Sequence, residues 1–313
     1  MLRYIIRRLL YAIPILVGVS LLTFILFYVT TSPENLARRN ISSKNPTKAQ
    51  LHQWLKDHNY DKPLSTQFRD HMVSLATFNF GKSDATGQPI SDTIRRGAGP
   101  SFIIASLIFV TTLYVSLMLA ITAAYFRGTY VDLLTTITTV LVMSIAYIVY
   151  VNVGQFLLGK VLKWGPLTGF EFGLLGLRFA ALPVIIGTVS GFGSGTRLYR
   201  TFLLDEINQD YVRTARAKGV AERAILLRHV LKNAMIPLIT STVAAIPSLI
   251  LGGVVTENFF NIPGLGNFLV DAINSQDFAV IRAMVFLGAL LTIAGLILTD
   301  IAYALADPRV RLE

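Results

Sequence analysis

The chain has 313 residues, of which 53% are hydrophobic and only 15% charged, and its mean hydropathy is +0.58. Soluble domains carry roughly 25% charged residues, so one water-soluble core could not hide this much apolar surface, and an all-α membrane protein is the expected class. The net charge of +10 sits between apolar runs, where it reads as topology signalling rather than nucleic-acid binding, and the absence of cysteine excludes disulfides, iron–sulfur clusters and thiol chemistry.

The N-terminal stretch holds an apolar run from Leu9 to Val29. At about 21 residues it exceeds the core of a secretory signal and is expected to stay as a first span. Six spans of about 20 apolar residues are predicted in all, at 9–30, 100–126, 131–158, 179–199, 237–256 and 280–304. The fourth carries Pro183 with Gly187, Gly191, Gly193 and Gly195, which suits close packing against neighbouring helices.

Between the first two spans lies a long polar stretch, expected to fold as an external subdomain over 31–99, with 1–30 before it and a transmembrane core over 100–313 after it. Within it Leu51, Trp54, Leu55 and His58 recur at helical spacing. Arg3, Arg7, Arg8, Arg127, Arg200 and the basic residues of 213–232 fall on one side of a six-span topology, as do Arg309 and Arg311. This places both termini in the cytoplasm. The loop 257–279 should face outward; it has three acids and no Lys or Arg. The outward loop 159–178 breaks the rule with Lys160, Lys163 and Arg178.

The catalytic inventory is thin. His52, His58, His71 and His229 form no HExxH or other metal-ligand spacing, so no metal or cofactor is expected. No GxxxxGK[ST] loop is present to cradle nucleotide phosphates, and no GxSxG nucleophile elbow. Asp132, Arg282 and Asp300 lie near predicted span ends. There a snorkelling anchor is the expectation, rather than the midplane relay an ion-coupled carrier would need.

The segment 200–236 stands out. In DYVRTARAKGVAERAILLRHVLKN, Asp210 can cap a helix starting at Tyr211, and Gly219 can end it in a left-handed conformation. In the helix that follows, Leu227, Val230, Leu231 and Ala234 form an apolar stripe, with Glu222, His229 and Asn233 on another face. Physics alone leaves two uses for such a basic helix pair: resting on anionic lipid, or docking a partner.

The order of residues resembles the coupling segment of ABC importer permeases, specifically the peptide/nickel branch. Of the general importer pattern, Ala215, Gly219 and Leu231 fit. The wording YVRTARAKG and RHVL is closer to the peptide branch. ENFFNIPGLGNFLVDAI at 257–273, DKPLSTQF and FGKS in the outer stretch, the N-terminal run and the tail ADPRVRL resemble the same family, while RRGAGPSF at 95–102 departs from it. The resemblance implies an all-α inner-membrane permease that is not itself an enzyme. It would pair with a second homologous permease, two cytoplasmic ABC ATPase subunits and an extracytoplasmic substrate-binding protein, within membrane lipid. It implies ATPase coupling through Ala215, Gly219, Glu222, Arg228 and His229, and binding-protein contact around Trp54, Asp84, Glu257, Pro263 and Gly264. Short peptides are the expected cargo, with nickel or another small solute as the alternative within the family and an ion-coupled secondary carrier as the alternative outside it.

Overall fold

A computed structural model of the chain describes residues 2–29, 33–41, 46–57, 60–173, 175–250 and 253–306. His58, Arg309 and Arg311 lie outside the described residues. Among those described, every regular element is helical, and β pairing is limited to an isolated antiparallel bridge between Lys82 and Pro89. Two compact units emerge, one from Met1–Ala98 with Asn267–Ala294, the other from Gly99–Gly266 with Gly295–Leu312.

The first unit opens with α1 (Leu2–Phe24), which runs on through a π-helical turn (Ile25–Val29). The polar stretch then forms α2 (Pro33–Asn40), α3 (Lys48–Asp57) and α4 (Leu64–Ala76). α3 starts on a capping box: the Thr47 N–H donates to Gln50 Oε1 (2.9 Å) and the Gln50 N–H to Thr47 Oγ1 (3.3 Å). Leu51, Gln67, His71 and Leu75 are buried, and the Phe68 ring meets Phe24 of α1 edge-on at 5.2 Å. Trp54 stacks on Tyr60 at 5.8 Å.

α5 (Ile90–Tyr125) is a single helix ten residues longer at its start than the predicted span. The third predicted span is not straight. α6 (Tyr130–Met143) and α7 (Tyr147–Gly154, continuing as a π turn over Gln155–Val161) meet at 93°. The break at Ser144–Ala146 contains neither Pro nor Gly, so composition gave no sign of it. The Ser144 N–H still closes a regular helical bond to Val140 O (3.1 Å), and Val142 O at the break accepts from the Tyr150 hydroxyl (2.9 Å).

α8 (Gly176–Ile207) follows, extending the fourth span at both ends. Its glycine row serves packing. Gly187, Gly191 and Gly195 sit one above another and face Ile108, Thr112 and Ser116 of α5. A Cβ at Gly195 would come within 2.6 Å of Ser116 Oγ, and one at Gly191 within 3.1 Å of Thr112 Cγ2. Hydrogen bonds fasten the crossing, between the Thr111 and Thr188 hydroxyls (2.7 Å) and from Ser116 Oγ to Phe192 O (3.1 Å).

After α8 come α9 (Asp210–Ala217) and α10 (Glu222–Ala224), a π turn (Ile225–Val230) and α11 (Leu231–Ile250); then α12 (Val254–Phe259), α13 (Leu265–Asn274) and α14 (Phe278–Ala306). Among the described residues, five helices are long and apolar enough to cross a bilayer: Ile6–Phe27, Ile90–Tyr125, Gly176–Ile207, Glu222–Ile246 and Phe278–Ile301. The bent pair makes a sixth if it counts as one span.

Candidate functional site

The basic segment is a helix–turn–helix held against the ends of α5 and α8. Ala120 and Ala124 of α5, Tyr199 and Leu203 of α8, Val212 and Ala215 of α9, then Ile225, Leu226, Val230 and Ala234 form one buried cluster. Each fully buried Val, Leu or Ile contributes on the order of 2 kcal/mol, while exposed ion pairs contribute less than about 1 kcal/mol. Apolar packing therefore decides the docking of this segment.

The turn between α9 and α10 is a Schellman motif. The Gly219 N–H donates to Arg216 O (2.9 Å), the Val220 N–H to Ala215 O (3.2 Å), and Gly219 has φ +75°. Across this turn the Arg216 guanidinium grips the Glu222 carboxylate with two bonds, Nε to Oε1 and Nη2 to Oε2 (3.2 Å). That pairing raises the Arg216 pKa. The Tyr211 hydroxyl donates to Glu206 Oε2 (2.6 Å); its pKa is raised chiefly by burial and further by that carboxylate. Two local expectations change. Asp210 does not cap α9 through its side chain; Gln209 holds the N-cap position, and the Asp210 carboxylate accepts from Arg213 Nη1 (3.3 Å). The apolar stripe begins with Ile225 and Leu226 rather than Leu227, which is exposed, because the π turn carries one residue more than an α turn. Arg228 and His229 are exposed as expected, beside Arg213, Lys218 and Glu222; Ala215 is buried beneath them.

Asp132 and Arg200 tie α6 to α8 near the same end. Arg200 Nε and Nη2 donate to Asp132 Oδ1 and Oδ2 (2.8 and 2.9 Å), and the Gly128 N–H also reaches Oδ2 (3.1 Å). Asp132 is thus a buried, paired residue, not a snorkelling anchor. A cleft of about 300 Å³ opens beside the Arg216–Glu222 pair, bounded by Tyr125, Arg127, Asn208 and Ile225.

At the other end of α8 lies the turn ENFFNIPGLG. Glu257 is 1% exposed, and its Oε2 accepts from the Gly266 N–H (2.7 Å), while Ser101 Oγ accepts from the Leu265 N–H (2.7 Å). A Cβ at Gly264 would collide with that carboxylate and with Ser101 Oγ (2.5 Å). Phe260 and Ile262 insert into an apolar cluster with Ile104, Val151, Ala180, Leu182 and Ile186. Next to this turn the spans leave a cleft of about 340 Å³, with Thr112, Tyr147 and Ser190 among apolar walls and the Tyr147 and Thr256 hydroxyls 2.6 Å apart.

Two family descriptions cover almost the whole chain. Residues 116–312 match the binding-protein-dependent transport system inner membrane component, and residues 1–94 match the N-terminal part of such membrane components. The chain belongs to this family. It is 31% identical over 314 residues to the oligopeptide transport system permease protein AppB of Bacillus subtilis, covering 98% of each chain. With the dipeptide transport system permease protein DppB of the same organism it shares 31% over 318 residues, covering 100% of this chain and 99% of the relative. A putative peptide transport system permease of Brucella abortus is 32% identical over 328 residues, covering 99% of both.

As a family member the chain is a multi-pass inner-membrane component of a transport system rather than its ATPase. The residues expected to meet other subunits are therefore read by what they expose. In the basic segment Glu222, Arg228 and His229 are exposed with Gly219 at the turn, and Ala215 packs inward. In the turn 257–266 Pro263 is exposed, whereas the Glu257 side chain and Gly264 are buried and shape the loop. In the first unit Trp54 and Asp84 are half-buried. Beside Asp84, Ser83 Oγ donates to Asp277 Oδ2 (2.5 Å), and Asp277 Oδ1 accepts from the Val280 N–H (3.1 Å) as the cap of α14. Sequence reasoning passed over Asp277, although an Asp just before an apolar run is an N-cap signal.

Proposed function

We propose that this chain is one of two permeases of an importer for short peptides, with its basic segment facing the cytoplasm and docking an ABC ATPase. The observation that carries this reading is the Schellman turn at Gly219. It presents Glu222, Arg228 and His229 on rigid helices whose apolar side is locked onto α5 and α8, so displacement at the turn is passed to the spans rather than absorbed in a loop. The peptide cargo is supported by the relatives' names, oligopeptide and dipeptide permeases among them. The cleft holding Thr112, Tyr147 and Ser190 offers hydroxyls on largely apolar walls, with Glu257 at its lining, suited to passing a peptide backbone, and serves as this chain's share of the path. Both termini lie in the cytoplasm; a second permease, two ATPase subunits and an external binding protein complete the system, with Trp54, Asp84 and Pro263 on the binding-protein side.

The test is co-purification from the native membrane. The parent chain is compared with Gly219→Pro and with the double variant Glu222→Ala, His229→Ala. Two P-loop ATPases should accompany the parent and be lost from the variants while the second permease remains. ATPases retained by every variant, or absent throughout, would remove the coupling role; loss of uptake for nickel or a sugar but not for peptides in a strain lacking the chain would remove the cargo.

A further inference from the structure

The loop after α7, which runs into α8, carries the cations that break the charge asymmetry of the other loops. Its conformation is fixed by the backbone. The Trp164 N–H donates to Leu158 O (3.0 Å) and the Gly169 N–H to Phe260 O (2.8 Å), and a Cβ at Gly165 would lie 3.2 Å from Arg178 O. The ordered loop nonetheless turns large apolar side chains outward: Trp164, Leu175 and Phe172 are 64%, 65% and 69% exposed. Lys160, Lys163 and Arg178, exposed on the same stretch of chain, outnumber its one acid, Glu171, and Lys160 sits 5.9 Å over the Phe156 ring. Exposed aromatic and aliphatic tips interleaved in sequence with cations are the composition of a membrane–water boundary, not of a solvated loop.

Position agrees with composition. On α8, Arg178 lies 22 residues before Arg200, the residue that grips Asp132 near the basic segment. At 1.5 Å per residue the two arginines are about 33 Å apart along the helix, close to the roughly 30 Å thickness of a bilayer's hydrocarbon core. If the Arg200 end lies at one headgroup plane, the loop lies at the other.

We propose that the 160–178 loop is an interfacial anchor in the leaflet opposite the basic segment. Trp164, Phe172 and Leu175 enter the headgroup–acyl boundary, and Lys160, Lys163 and Arg178 bind anionic phospholipid headgroups. The exception to the charge rule is thereby a lipid-binding feature, and this face of the permease is occupied by membrane, not by a soluble partner.

The chain has no native cysteine, so Phe172→Cys and Trp164→Cys each accept a single nitroxide label, with the parent as blank. The labelled full chain, with any subunits that accompany it, is placed in nanodiscs with and without phosphatidylglycerol. Collisions with membrane-dissolved oxygen should exceed those with an aqueous nickel chelate severalfold, and the ratio should rise with phosphatidylglycerol. Lys160→Gln with Lys163→Asn and Arg178→Gln should abolish that rise; Asn suits Lys163, whose φ is +52°. Native Trp164, read by brominated-lipid quenching in a Trp54→Phe background, gives the same reading without a label. Dominant nickel-chelate collisions in both lipids would overturn the proposal and leave the patch to a protein partner, and membrane contact indifferent to phosphatidylglycerol would overturn its anionic-lipid half.

Discussion

Gly219→Ala isolates what holds the turn between α9 and α10. The glycine has φ +75°, and a Cβ added there meets no atom within 4 Å. The substitution therefore costs backbone strain alone, about 1–2 kcal/mol for an alanine held left-handed. That corresponds to roughly a 5- to 30-fold rise in local opening. Asn tolerates this conformation and should cost less. The competing element is the Arg216–Glu222 pair, whose side chains are 44% and 57% exposed. Exposed pairs contribute at most about 1 kcal/mol, so Glu222→Gln should open the turn by no more than about fivefold. Hydrogen exchange of the Val220 amide, which donates to Ala215 O in the motif, reads this opening directly. The expected order of exchange is Gly219→Ala fastest, then Gly219→Asn or Glu222→Gln, then parent. An alanine variant as slow as the parent, or a Glu222→Gln variant faster than alanine, would refute the claim that left-handed geometry holds the turn.

Three further outcomes follow from the same structure. Asp132→Asn leaves Arg200 facing a neutral amide and should destabilise the chain by about 2–4 kcal/mol; a thermal-melt double-mutant cycle with Arg200→Gln should show coupling well above the 0.5 kcal/mol of independent sites. Glu257→Ala strips the buried Gly266 N–H of its acceptor, a loss of about 1–3 kcal/mol, and should speed proteolysis at 261–266, whereas Glu257→Gln, which keeps an oxygen there, should not. His71 has its pKa lowered to about 4, chiefly by burial and next by the charge of Arg282, against a smaller opposing bond to the Ser20 backbone. Folded His71 thus stays neutral where the unfolded chain takes up a proton below about 6.5. Its contribution to stability is whole above that pH and is lost as pH falls toward 4, so His71→Leu should flatten the melting temperature over that window.

What could be read in advance follows physical locality. Apolar run length gave the membrane class, and the glycine position marked the left-handed turn at Gly219 before any contact was known. The capping box at Thr47 and Gln50 and the cap at Asp277 were equally local. The Asp132–Arg200 grip joins residues 68 apart, and such pairs leave no periodic trace. Glu257 stood among outward-loop residues and was expected at a surface; only the approach of the Gly264–Gly266 backbone shows that its carboxylate is an internal acceptor. The break in α6 lacks Pro and Gly, so helix punctuation was silent where tertiary packing bends the chain.

The π turn at Ile225–Val230 has the character of a one-residue insertion absorbed without breaking the helix. Residues 222–246 read as one span-length helix, yet everything before the turn is rotated by about 100° from where an unbroken α-helix would carry it. Deleting one residue there would restore regular helix and keep every charge. It would also turn the Arg216–Glu222 pair, which lies wholly before the turn, relative to the helix after it, and so redraw the pattern of acid, cation and imidazole on this surface. Which surface this permease presents is thus a matter of phase as much as of composition, set by a residue count that no substitution scan would vary.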